Sequence, residues 1–193
     1  GVLMVFIFLL TPYAIGTELK FKRSRQLMKM AGNNIYVAIA GKMLPMTLLF
    51  LTMMYGFEFY IFHMLDFPHP GGVVPLLLMG LLSVLACQGF GIFAFGLMPS
   101  LRMSISISAL WSVLSFSVAG ATYPLSAMDP EIQSLAQLFP LRHYFMLYQM
   151  CEFNGYPLSY AWFNIMFLLM IAVLPIFTLR NIKRAMLVYV YIP

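Results

Sequence analysis

Apolar residues fall in five blocks, at 1–15, 43–62, 74–97, 103–123 and 160–179, and the segments between them carry almost all of the charge. Each of the last four is close to the ~20 residues that carry a helix across ~30 Å of hydrocarbon. The pattern predicts an all-α fold, a polytopic membrane helix bundle with five spans, in one transmembrane domain covering 1–193. The first block opens at Gly1 and is too short for a full crossing, and no basic stretch marks it as a signal peptide. It reads as the end of a longer span, in a chain that is a piece of a longer protein.

Two connecting segments are longer than a turn requires. In 17–42 a charged stretch leads into 26–31, then Gly32-Asn33-Asn34. Asn34 suits the N-cap of a following helix at 35–40, so this segment is expected to form two short helices along the membrane surface. In 124–159, Asp129 and Pro130 suit the cap and first turn of a helix in which Ile132, Leu135, Leu138 and Phe139 recur at helical spacing. Pro140 interrupts the pattern and 141–151 resumes it. Two short helices parted by proline predict a re-entrant hairpin, whose backbone needs shielding by protein or water.

Charge fixes the direction. Segments 17–42, 98–102 and the tail after 179 hold Lys20, Lys22, Arg23, Arg25, Lys29, Lys42, Arg102, Arg180, Lys183 and Arg184, ten of the eleven basic residues. The other side has only Arg142, with the acids Asp66, Asp129, Glu131 and Glu152. Basic loops stay in the cytoplasm, so the C-terminus is expected there too. With 62% hydrophobic and 9% charged residues the chain needs lipid as part of its solvent. The net charge of +5 belongs to loop topology, and nucleic-acid binding is excluded for want of a basic face clear of the spans.

Little in the chain suggests catalysis. Cys87 and Cys151 fall on opposite sides of this topology and do not pair. Gly41-Lys42 lacks the upstream glycine of a phosphate loop, since position 36 is Tyr36. Gly89, Gly91 and Gly96 lie inside a span and suit close helix packing. His63, Asp66 and His69 match no standard metal spacing, and no metal is assigned. Glu58, the one acid within a span, either lines a translocation path or reaches the headgroups from near the outer end. Ser104, Ser108, Ser112 and Ser115 share one helix face, which serves either helix contact or a cavity wall.

Two stretches carry a resemblance. One is Gln26-Leu27-Met28-Lys29-Met30-Ala31-Gly32 followed by Gly41-Lys42-Met43-Leu44-Pro45, with Glu18 upstream. The other is Gly120-Ala121-Thr122-Tyr123-Pro124-Leu125-Ser126-Ala127-Met128-Asp129-Pro130, then Leu138-Phe139-Pro140-Leu141-Arg142-His143-Tyr144. Both are similar to the type-2 ABC transporter permeases, in particular their bacterial exporter branch. The resemblance implies a six-span permease of the bacterial inner membrane that pairs with a second permease subunit, as a homo- or heterodimer, and couples to a separate ATPase. It places the coupling contact at Gln26, Leu27, Met28, Lys29, Met30 and Ala31, and the re-entrant segment at Pro124, Met128, Pro140 and Arg142. It allows Glu58, Ser108, Ser112 and Ser115 to line the path. It implies no cofactor on this chain, with ATP and Mg held by the partner. Arg142, alone among bases on its side, is expected to anchor the hairpin. The alternative is an intramembrane enzyme or ion channel using Glu58 or the cluster of His63, Asp66 and His69; a plain membrane anchor would not need the outer hairpin.

Overall fold

A computed structural model describes residues 1–66, 68, 70–120, 123–124 and 127–188, and among these the ordered structure is helical with no strand. The chain runs through α1 (Val2–Lys20), α2 (Ser24–Met30), α3 (Ile35–Phe59), α4 (Val73–Leu97), α5 (Leu101–Ser117), α6 (Pro130–Ala136), α7 (Pro140–Tyr148), α8 (Trp162–Val173) and α9 (Leu179–Val188). Four helical stretches are long and apolar enough to cross a membrane: Val2–Lys20, Ile35–Met64, Val73–Leu97 and Leu158–Val188. The fifth, Leu101–Ser117, has 17 residues, about 25 Å of helix. The apolar block continues to 123, but the helix does not: Gly120 at φ +92° turns the chain away, a backbone state open to glycine without steric cost.

The charged loops distinguish a basic end, with α2 and α9, from an acidic end, with α6 and α7. At the basic end the structure corrects one expectation. Residues 35–40 are not a separate surface helix. Gly32 and Asn33 take positive φ of 60° and 63°, the Asn34 side chain accepts from the Tyr36 amide at 3.0 Å, and α3 then continues unbroken through Gly41 and Pro45. Ile35, Ala38, Ile39 and Met43 are buried on one face, so tertiary packing carries the helix on through both residues. A second difference lies in the last block. Pro175 draws 174–177 into a 3-10 turn, and Thr178 leads into α9, so the basic tail forms a ten-residue amphipathic helix.

Helix α4 is the centre of the bundle, packed by α1, α3, α5, α7 and α8. Its small residues allow this. A β-carbon at Gly89 would lie 2.7 Å from the Ala172 Cα of α8, one at Gly91 2.8 Å from Thr11 of α1, and one at Gly96 would collide with Thr178. In lipid, where apolar side chains gain nothing by leaving the solvent, such close backbone approach is a main source of helix association. Two apolar clusters result. One fills the middle and acidic end around Phe8, Met79, Phe90, Leu147 and Leu168. The other fills the basic end around Ile15, Met28, Ile39, Phe95, Ile182 and Met186.

Candidate functional site

Helix α2 is too short to hold its own shape in water or at a membrane surface. It is fixed by three neighbours. The Ser24 hydroxyl donates to the Met186 carbonyl of α9 at 3.1 Å, and Met28 inserts between α9 and the basic ends of α1 and α3. Lys42 near the start of α3 pairs with Glu18 near the end of α1, closing the loop around α2. Glu18 and Lys42 are thus brought together from the two sides of one motif.

This packing divides the six predicted coupling residues. Met28 is 1% exposed and belongs to the core of this chain. Met30, two residues on, is 87% exposed, and Gln26 and Lys29 face outward with it. Leu27 and Ala31 are half-buried at the edge. Residues two apart on a helix point to different faces, so of Met28 and Met30 it is Met30 that faces outward. The outward set is Gln26, Lys29 and Met30. Sequence reasoning also missed α9, although Leu179, Ile182 and Met186 recur at helical spacing between Arg180, Lys183 and Arg184.

The serine face of α5 is spent on contact within the chain. Ser104, Ser108, Ser112 and Ser115 are all fully buried, and α5 packs on α1, α4 and α7. The Ser104 hydroxyl donates to the Ser100 carbonyl at 2.7 Å and Ser112 to Ala109 at 2.9 Å, each within its own turn. Ser115 accepts from the Leu141 amide at 3.2 Å, satisfying one of the free N–H groups at the start of α7. The opposite face of α5 is open, with Met103, Ser106, Leu110, Val113 and Ser117 exposed. Beside it, α1 exposes Val2, Phe6, Leu10 and Tyr13.

At the acidic end both short helices form as expected, each with proline in its first turn. The segment begins with a turn in which the Ala127 amide donates to Pro124, and Gln133 of α6 donates to the Met128 carbonyl at 2.8 Å. Residues 121, 122, 125 and 126 of the matching motif lie outside the described residues. Arg142 is buried in α7, with its guanidinium over the turn at Gly120 and its Nε without a hydrogen-bond partner among the described residues. His143 next to it is wholly buried. Its Nε2 lies 2.7 Å from the Gln137 carbonyl, its Nδ1 2.8 Å from the Asn164 side-chain amide, and its ring stacks on Phe167 at 3.9 Å. That set ties α7 to α8 and is structural; Asn164 carried no signal in the sequence beyond being a lone amide in an apolar run.

Glu58 is largely covered by its own chain. It is 7% exposed in the last turn of α3, and its Oε2 has no hydrogen-bond partner among the described residues. The buried Glu152, in the π turn after α7, is close enough to act on it electrostatically. His63 and Asp66 lie in the exit from α3, while His69 lies outside the described residues. No group of three metal-ligating side chains occurs among the described residues.

Among curated proteins none matches the chain. The family model described as ABC-2 family transporter protein matches residues 1–179, from the first residue through the 3-10 turn to the first position of α9. With that match laid over a helical bundle of apolar spans, the chain belongs to the ABC-2 type transporter permease family and is a multi-pass membrane protein.

Proposed function

We propose that this chain is the membrane-spanning subunit of an ATP-driven exporter in a bacterial inner membrane, with its basic end and C-terminus in the cytoplasm. ATP and Mg are bound by a separate ATPase subunit that docks on α2 through Gln26, Lys29 and Met30. The observation that carries this reading is the mounting of α2: a short helix with an outward face, clamped between the basic ends of α1, α3 and α9. A push on that outward face moves three helices together, since Met28 and Ser24 leave α2 little freedom to slide. Closure of the ATPase then tilts the spans, the partner favouring one of two arrangements by its contacts.

The path runs along the open sides of α1 and α5, where a second permease subunit faces this one. Those sides mix apolar residues with Tyr13, Ser106 and Ser117, whereas the outward face of α8, with Trp162, Phe163, Met166 and Met170, is apolar and suits lipid. Ser108, Ser112 and Ser115 serve the path from behind, as the packing that positions its α5 wall. Arg142 holds the outer hairpin over that wall at the Gly120 turn.

The test is purification of the full-length protein from membranes in mild detergent through a C-terminal tag. An ATPase subunit is expected to co-purify, and to be lost when Lys29→Glu and Met30→Asp are combined. A protein that comes down alone, with ATP-independent ion flux in vesicles that Glu58→Gln abolishes, would replace the permease reading by the channel.

A further inference from the structure

Glu58 opens onto a cleft of about 370 Å³ between the acidic ends of α3 and α4, lined by Tyr55, Phe59, Phe62, His63, Val73 and Leu77 among others. Four of these are aromatic rings grouped around one carboxyl. Phe59 and His63 lie 5.0 Å apart at the rim, and Phe62 is buried deeper. Tyr55 is held in place from both sides: its hydroxyl donates to the Leu77 carbonyl at 2.7 Å, and its ring covers Gly80, where a β-carbon would lie 2.7 Å from it. The walls are therefore built into the contact between α3 and α4.

The charge in the cleft wall comes from Glu58, with His63 at the rim. No lysine or arginine lines the cleft among the described residues. A buried carboxylate with an unsatisfied oxygen is costly, and the Glu58 Oε2 has no hydrogen-bond partner among the described residues. A cation brought in from outside removes that cost. Ring faces carry negative charge as well, and attract cations most strongly when both are shielded from water. A carboxyl inside an aromatic and aliphatic cleft opening near the membrane boundary is the recognition chemistry of a lipophilic cation.

We propose that this cleft binds hydrophobic organic cations, amines or quaternary ammonium groups attached to apolar bodies, with Glu58 as the counter-charge and Tyr55, Phe59 and Phe62 as the cage. The proposal names the substrate class for the permease reading and rests on it. Binding itself does not need transport, so the two fail separately: absence of a co-purifying ATPase removes the permease reading, and absence of cation binding removes only this one.

The probe is tetraphenylphosphonium, with tetraphenylborate as an anion of nearly the same shape. Saturable binding of both is measured on the full-length protein in nanodiscs against empty nanodiscs. The cation is expected to bind and the anion not. Glu58→Gln, which keeps the side-chain shape, is expected to weaken the cation at least tenfold, and Phe59→Leu, at an exposed rim position, about threefold. Equal binding of the two ions, equal binding by wild type and Glu58→Gln, or no saturable binding of the cation would each overturn the site. Phe59→Leu keeps the test sound if the Gln variant is poorly folded, since it leaves the buried carboxyl in place.

Discussion

Met28 and Met30 are separated by one residue and by the whole difference between core and surface. Truncating Met28 leaves a hole between α2 and α9. Met28→Ala is expected to lower stability by about 2–5 kcal/mol, seen as a lower melting temperature in detergent. Met30→Ala should stay within about 0.5 kcal/mol of wild type while weakening ATPase association. Ser115 gives a second residue-scale case. It is one of four hydroxyls whose common face was legible in the sequence, but their roles were not, because the partner is 26 residues away in α7. Removing the hydroxyl in Ser115→Ala orphans the Leu141 amide, at a cost of about 1–3 kcal/mol in the same melting assay, whereas Ser106→Ala on the exposed side should be neutral. Glu58 was legible as an exception to its span. Its cleft was not, since Tyr55, Phe59 and Phe62 read alone as ordinary apolar positions.

At the scale of elements, the apolar blocks located every long helix, and proline located the starts of α6 and α7. What the pattern missed were the joins. Gly41 and Pro45 look like breakers between a surface helix and a span, yet α3 passes through both because the buried face from Ile35 to Met43 is continuous. Helix α9 escaped notice because three bases in ten residues resemble a topology signal first and a helix face second. The glycines of α4 were legible as packing sites, and the structure adds what each one meets. Gly89 is set against backbone atoms of Ile171 and Ala172, which have no flexible end to yield. Gly89→Ala is expected to destabilise by about 1–3 kcal/mol or to displace α8, and a matching change at Gly41, where a β-carbon meets nothing, should be tolerated. Comparing the two variants by thermal melting separates packing from helix propensity.

For the whole molecule, segregation of charge was the most informative feature of the sequence. Ten bases on one side and one on the other are consistent with a single order of crossings. The order carries a direct test. Single cysteines placed at Gln26 and at Tyr156, both exposed, are expected to react with a membrane-impermeant maleimide from opposite sides of sealed vesicles, Gln26 only from the cytoplasmic side. The native Cys87 and Cys151 are both buried and should give little background. Labelling of both sites from one side would reverse or break the topology. How the helices are arranged around α4 could not be read from charge or hydropathy, because in lipid both describe only the axis across the membrane.

The bond from Ser24 to Met186 spans 162 residues, so α2 is synthesised well before the helix that covers it. During synthesis α2 leaves the ribosome with Met28 uncovered, and it stays so until α8 has inserted and α9 has emerged. A short helix in that state is a chaperone or protease target rather than a docking element. Under the proposed docking on α2, recruitment of an ATPase waits until α9 has been made. Chains arrested after Thr178 are expected to show protease cleavage within 17–34 and no bound ATPase, and full-length chains the reverse; equal protection of the two would mean that α2 folds without its late-arriving cover.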